Sequence, residues 1–136
     1  MNDPQRVVVD ASSVVALLAD AGPAGQWVAR SIAGARLAAP DLMAYEVSNV
    51  LRRRLLAGAL DVTSATLAHA ELLELTLAVV PFDAVAARIW ELRHNLTSYD
   101  AAYVAASELL GAPLMTLDRR IARAQGPRCR ILCFEN

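Results

Sequence analysis

Four acidic residues stand where a carboxylate is conspicuous. Asp10 ends the apolar run Val7-Val8-Val9, and Asp118 follows Leu114-Met115-Thr116-Leu117. Asp100 lies three residues after Thr97, and Glu46 sits four residues after Leu42 and four before Val50. Each has an ordinary explanation. Asp10 and Asp118 suit helix caps, Asp100 suits a capping box opened by Thr97, and Glu46 suits an arginine partner. Together they suggest more. Two acids that leave parallel strands at one sheet edge, with a third beside an apolar helix stripe, collect like charge in one place. Such charge destabilises the fold unless a cation compensates it. Oxygen donors with no His or Cys nearby in sequence suit a hard ion, Mg²⁺ or Mn²⁺.

The elements that must position these acids follow from apolar periodicity and from Gly and Pro punctuation. Three β-branched residues before Asp10 predict a short buried strand. Helices are predicted over 13–20 and 24–34, broken at Gly22-Pro23, and a weak strand over 36–39 stops at Pro40. Asp41 is expected to cap a helix that reaches Ala57, with Leu42, Met43, Val47, Val50, Leu51 and Leu55 on its apolar stripe. Thr63 or Ser64 should cap the next helix, to Leu75; strand 77–80 follows, and Asp83 should cap a helix to His94. Thr97-Ser98-Tyr99-Asp100 opens a helix that ends at Gly111. Strand 113–117, a short helix over 119–125 and strand 130–134 complete the chain. Strands alternating with helices predict one α/β domain over 1–136: an α/β/α sandwich around a parallel sheet of four to five short strands. An acid at the carboxyl end of such a strand lies where open α/β sheets keep their ligands.

Composition narrows the function classes. The 136 residues suffice for a hydrophobic core without metal or disulfide. The apolar fraction is 56%, yet the longest apolar runs fall far short of the roughly 20 residues of a membrane span. Nothing near the N-terminus resembles a secretion signal, so a cytoplasmic location is expected. The net charge of −1 does not argue for a nucleic-acid coat protein. All 13 basic residues are Arg, which removes every mechanism that needs a lysine. Cys129 and Cys133 are too few and too poorly spaced for a zinc site, and are expected as buried structural thiols.

Four blocks carry a family resemblance. Val7-Val8-Val9-Asp10-Ala11-Ser12-Ser13, Pro40-Asp41-Leu42-Met43-Ala44-Tyr45-Glu46-Val47, Ser98-Tyr99-Asp100-Ala101-Ala102-Tyr103-Val104-Ala105 and Leu114-Met115-Thr116-Leu117-Asp118 resemble, in order, the motifs of PIN domains. Within these the chain is most similar to VapC toxins of bacterial toxin–antitoxin pairs. The resemblance implies a Mg²⁺- or Mn²⁺-dependent endoribonuclease with Asp10, Glu46, Asp100 and Asp118 as metal-holding catalytic acids. It also implies that Ser12 and Thr116 support them. Its expected partners are RNA, a VapB-type antitoxin that supplies the DNA binding, and a second copy in a homodimer. Arginines after two of the acids, Arg52 and Arg53 on one helix and Arg119 and Arg120 on another, are candidate contacts for RNA phosphates.

Other chemistries fit less well. A haloacid-dehalogenase phosphatase needs a second acid where Ser12 stands, and a lysine. No Gly-rich phosphate loop is present. The remaining alternative is a PIN-like module that binds RNA or protein without cleaving. Trp27 and Trp90 are expected in the core or at interfaces; Tyr99 and Tyr103 flank Asp100 and are expected in the core, with stacking of one on a base as the alternative; His69 and His94 have no partner pattern.

Overall fold

The fold was analysed in a computed structural model, which describes residues 4–135. Its strands are β1 (Arg6–Val9), β2 (Arg36–Pro40), β3 (Leu77–Val80), β4 (Leu114–Thr116) and β5 (Ile131–Cys133). They form one sheet of order β3-β2-β1-β4-β5, and every pairing is parallel. The helices are α1 (Ala11–Ala19), α2 (Pro23–Ile32), α3 (Leu42–Leu56), α4 (Val62–Glu74), α5 (Phe82–Glu91), α6 (Ser98–Leu110) and α7 (Arg119–Arg123). The chain works outward from β1 to β2 and β3, then returns to β4 on the other side of β1. Because parallel crossovers are right-handed, that reversal sends α5 and α6 to the sheet face opposite α1 to α4. Accordingly α1, α3 and α4 pack on one another, while α6 lies across β1, β2 and β4 with α5 against it. The expected α/β/α sandwich with a central parallel sheet is what the chain adopts.

Burial explains why β1 reads as an unbroken apolar run. Val7, Val8 and Val9 are all buried because helices cover both faces of the central strand. The core continues through Val14, Val28, Met43, Val47, Leu51, Val104, Leu114, Met115 and Ile121. Gly25 allows α2 to lie against the end of α1, since a Cβ there would meet the Asp20 carbonyl oxygen at 1.8 Å. Gly111 ends α6 with φ of 61°, a left-handed conformation that glycine adopts freely.

Several element ends differ from the sequence expectation. Pro40 is the last residue of β2, in register with Val80, and does not lie beyond the strand. Asp41 has helical backbone angles and its side chain caps nothing. Helix α4 starts earlier than predicted, because Asp61 accepts from the Ser64 N–H and so takes the cap from Thr63 and Ser64. Helix α5 follows Pro81 directly and ends at Glu91, which leaves Asp83 in its first turn, where the helix dipole favours an acid. Trp90 is exposed beneath the Arg93 guanidinium and is not a core residue. Cys129 and Cys133 are free thiols and only half-buried. Among the described residues no helix is long and apolar enough to cross a membrane.

Candidate active site

The reversal of strand order falls between β1 and β4, and two of the four acids leave the sheet there. In open α/β sheets this switch point is where connections diverge to opposite faces and open a crevice. Asp10 follows β1 and caps α1; Asp118 lies two residues beyond β4 and caps α7. Glu46 comes from α3 in one helical layer, and Asp100 from the first turn of α6 in the other. All four sequence-predicted acids thus lie at the carboxyl edge of the sheet.

Asp10 is the most constrained of them. It is only 4% exposed, and its carboxylate is held from several sides. Oδ1 accepts from Ser12 Oγ at 2.7 Å and from the Ser13 N–H at 2.9 Å. Oδ2 accepts from Thr116 Oγ1 at 2.5 Å. Ser12 and Thr116 are themselves fixed: the Leu117 N–H donates to Ser12 Oγ and the Asp118 N–H to Thr116 Oγ1. These bonds tie β1 to β4 across the switch point. Burial raises the Asp10 pKa despite these donors, since desolvation penalises the charged form more than they favour it.

Glu46 is half-buried and accepts from Tyr103 Oη at 2.5 Å. Its pKa is also raised, first by burial, with the charges of Asp100 and Asp10 adding to it against the Tyr103 hydrogen bond. Asp100 is raised by burial and by the charge of Asp118, while the Arg120 guanidinium works in the opposite direction. The four acids therefore sense one another although 108 residues separate the first from the last. Asp118 alone is depressed, chiefly because Arg120 hydrogen-bonds its side chain.

Tyr103 is the site residue that sequence reasoning missed by assigning it to the core. It is 2% exposed, so the packing expectation holds, but its hydroxyl reaches the site. The available signal was its spacing of three residues from Asp100, which puts both on one face of α6. The arginines divide by location. Arg120 is paired to Asp118, and Arg119 with Arg123 lines a groove of about 390 Å³ beside Cys133 and Glu135. Arg54 lines a smaller groove together with Ser12 and Leu117. Arg52 faces α4 instead, in a groove shared with His69, and Arg53 is exposed on α3. His69 is bonded to Ser48 and not to any of the four acids.

Among the described residues no three acidic, His or Cys side chains are already drawn together as a metal cage. The donor chemistry nonetheless fits a hard divalent ion. The candidate donors are carboxylates from both helical layers and two strand ends, and burial raises the pKa of three of them. A cation would offset that cost of burial.

Comparison with known proteins agrees with the fold. The PIN domain family model matches residues 7–127. The VapC ribonuclease Mb0985 of Mycobacterium bovis is 36% identical over 92% of this chain and 95% of its own length. Ribonuclease VapC1 of Mycobacterium tuberculosis is 40% identical over 91% of this chain and 94% of its own. Among solved structures, PAE2754 from Pyrobaculum aerophilum superposes with a TM-score of 0.66 at 28% identity, covering 93% of this chain and 83% of that one. The chain belongs to the PIN-domain family, and within it to the VapC ribonucleases.

Proposed function

We propose that this chain is the toxin of a type II toxin–antitoxin pair and hydrolyses phosphodiester bonds in RNA with the help of Mg²⁺. The observation that carries this reading is the buried Asp10 carboxylate, held by Ser12, Ser13 and Thr116 at the switch point of a PIN fold, with the charges of Glu46, Asp100 and Asp118 linked around it. The named ribonuclease relatives support it. Asp10 and Asp100 would hold the ion, and Glu46 and Asp118 would complete the pocket or orient the attacking water. When bound, the ion supplies a water of lowered pKa and screens the charge that develops on phosphorus and the leaving oxygen. Mn²⁺ has the same preference for oxygen ligands and could substitute.

The protein's own part is positioning. Ser12, Thr116 and the Ser13 amide fix the Asp10 carboxylate so that it does not have to reorganise when substrate arrives. Tyr103 does the same for Glu46. Arg119, Arg120 and Arg123 on α7, with Arg54 on α3, would meet RNA phosphates. Arg52 and Arg53 precede Arg54 on α3, Arg52 in the groove with α4 and Arg53 exposed.

The partners follow from the same family. A VapB-type antitoxin would dock an apolar helix and carry the DNA binding. A groove of about 400 Å³ between α1 and α4, lined by Leu17, Leu18, Leu60 and Leu67 with Asp20, Ser64 and Glu71 among them, is a candidate seat for an amphipathic helix of this kind. Exposed Val79 and Phe82, at the edge strand β3 and the start of α5, suit a second copy in a homodimer.

The test is cleavage of total cellular RNA by folded, partner-free protein with EDTA, Mg²⁺ or Mn²⁺, beside Asp10→Asn. Discrete metal-dependent fragments, absent in the variant, are expected. Failure to cleave any RNA in any metal would overturn the nuclease reading in favour of a non-cleaving binding module.

A further inference from the structure

We infer that Arg120 is a built-in counterion of the acidic site. Its guanidinium holds Asp118 and competes with a divalent ion for that carboxylate. The inference rests on the metal-site reading above and adds a control to that site.

The geometry is a fork. Arg120 Nε meets Asp118 Oδ1 at 3.1 Å and Nη2 meets Oδ2 at 2.7 Å. The Arg120 backbone N–H also donates to Oδ1, at 2.9 Å. Both oxygens that would face an ion are thus engaged by one residue. These bonds take three of the carboxylate's roughly four lone-pair sites, and the guanidinium charge repels a divalent cation, so the two compete for Asp118. Among the described residues, Arg120 is the arginine ion-paired to one of the four acids; the other ion pairs, Arg88 with Glu91 and with Glu108, lie elsewhere. Its charge also acts on Asp100, across the site on α6.

The pair is built to open. The Arg120 side chain is 84% exposed, whereas that of Asp118 is 22% exposed. The guanidinium can swing into solvent on a flexible stem without losing burial. Exposed ion pairs are weak and screened by salt, so a divalent ion can displace this one. Asp118 keeps its cap on α7 through the Arg120 backbone amide, which does not depend on the side chain. The released guanidinium stays at the mouth of the site, where an RNA phosphate would arrive. By linkage, whatever draws Arg120 away from Asp118 tightens metal binding, and metal binding frees Arg120 for phosphate.

The experiment is an Mn²⁺ titration of RNA-free protein, followed by the electron paramagnetic resonance signal of free Mn²⁺. Wild type is compared with Arg120→Ala, Arg120→Gln and Arg120→Lys, and Asp10→Asn defines which binding belongs to the site. Removing the competing cation should tighten site binding by roughly 1.4- to fivefold, the range expected when an exposed ion pair no longer competes. Arg120→Gln should behave as Arg120→Ala does, Arg120→Lys should fall between them and wild type, and the differences should shrink at high salt. Equal or weaker binding by the Ala and Gln variants, with wild type binding Mn²⁺ normally, would overturn the counterion role and leave the metal site standing. Absence of Asp10-dependent Mn²⁺ binding in wild type would overturn both.

Discussion

The Tyr103 hydroxyl donates to Glu46 Oε1 at 2.5 Å and thereby joins α6 to α3, helices from opposite layers of the sandwich. The bond closes over the carboxyl edge of the sheet, between residues 57 apart in sequence. Burial and the neighbouring Glu46 charge push the Tyr103 pKa far above its ordinary value, so the hydroxyl stays protonated and remains a donor. Tyr103→Phe should cost about 1–3 kcal/mol, as expected for a hydrogen bond to a charged group. RNA cleavage should fall with KM little changed, because Glu46 loses its orientation and not its charge. Denaturant melts and steady-state kinetics would check both; wild-type kcat would remove Tyr103 from the site.

Thr116→Val keeps the shape of the side chain and deletes the donor to Asp10 Oδ2. Thr116 is fully buried, so no water can enter as a substitute without rearrangement. The expected loss is about 10–100-fold in metal affinity or cleavage, the usual effect of removing a group that orients a metal-holding carboxylate. Calorimetric titration with Mn²⁺ would measure it. An affinity within twofold of wild type would show that Ser12 and the Ser13 amide hold Asp10 unaided.

Glu46→Gln should stabilise the metal-free protein and abolish its activity. The fold raises the Glu46 pKa, so the ionised form costs stability at neutral pH. The amide oxygen of Gln can still accept from Tyr103. A rise in Tm of a few degrees is expected without metal, roughly the response of a chain this size to 1 kcal/mol. The gain should vanish or reverse when Mg²⁺ is added, because wild type then has its charge compensated. A lower Tm in EDTA would contradict the electrostatic account of the site.

Acid pH should weaken the opposite end of α6. Burial alone would raise Glu108, but Arg88 and the Arg128 amide outweigh it and hold its pKa below the ordinary value. A depressed carboxylate contributes stability that is present above its unfolded pKa and is lost as pH falls through the folded value. The loss should therefore begin below about pH 4.5, the ordinary glutamate value. Glu108→Gln should be less stable than wild type at pH 7, and the gap should close as pH falls through the folded-state value. Urea melts across that range would show it, and a gap independent of pH would assign the effect to packing.

Local signals made much of this legible in advance. The apolar run before Asp10 and the Gly or Pro at each break located all five strands within a residue or two. Thr97 was readable as the cap of α6 because one suitable residue stood three positions before the helix's first acid. The start of α4 was not, because Asp61, Thr63 and Ser64 are all good caps. The extended backbone at Asp61, with ψ of 165°, decided between them.

The sequence by itself determined an all-parallel α/β chain with three acids at element ends and a fourth, Glu46, beside the apolar stripe of α3. Those features depend on apolar period, punctuation and short-range chemistry, which are written locally. Only the tertiary structure decided the partners: Thr116 with Asp10, Tyr103 with Glu46, and the separation of Arg54 from Arg52. Each depends on how strands order and helix layers close over a shared edge, and the groups that meet there lie tens of residues apart with no local trace of one another.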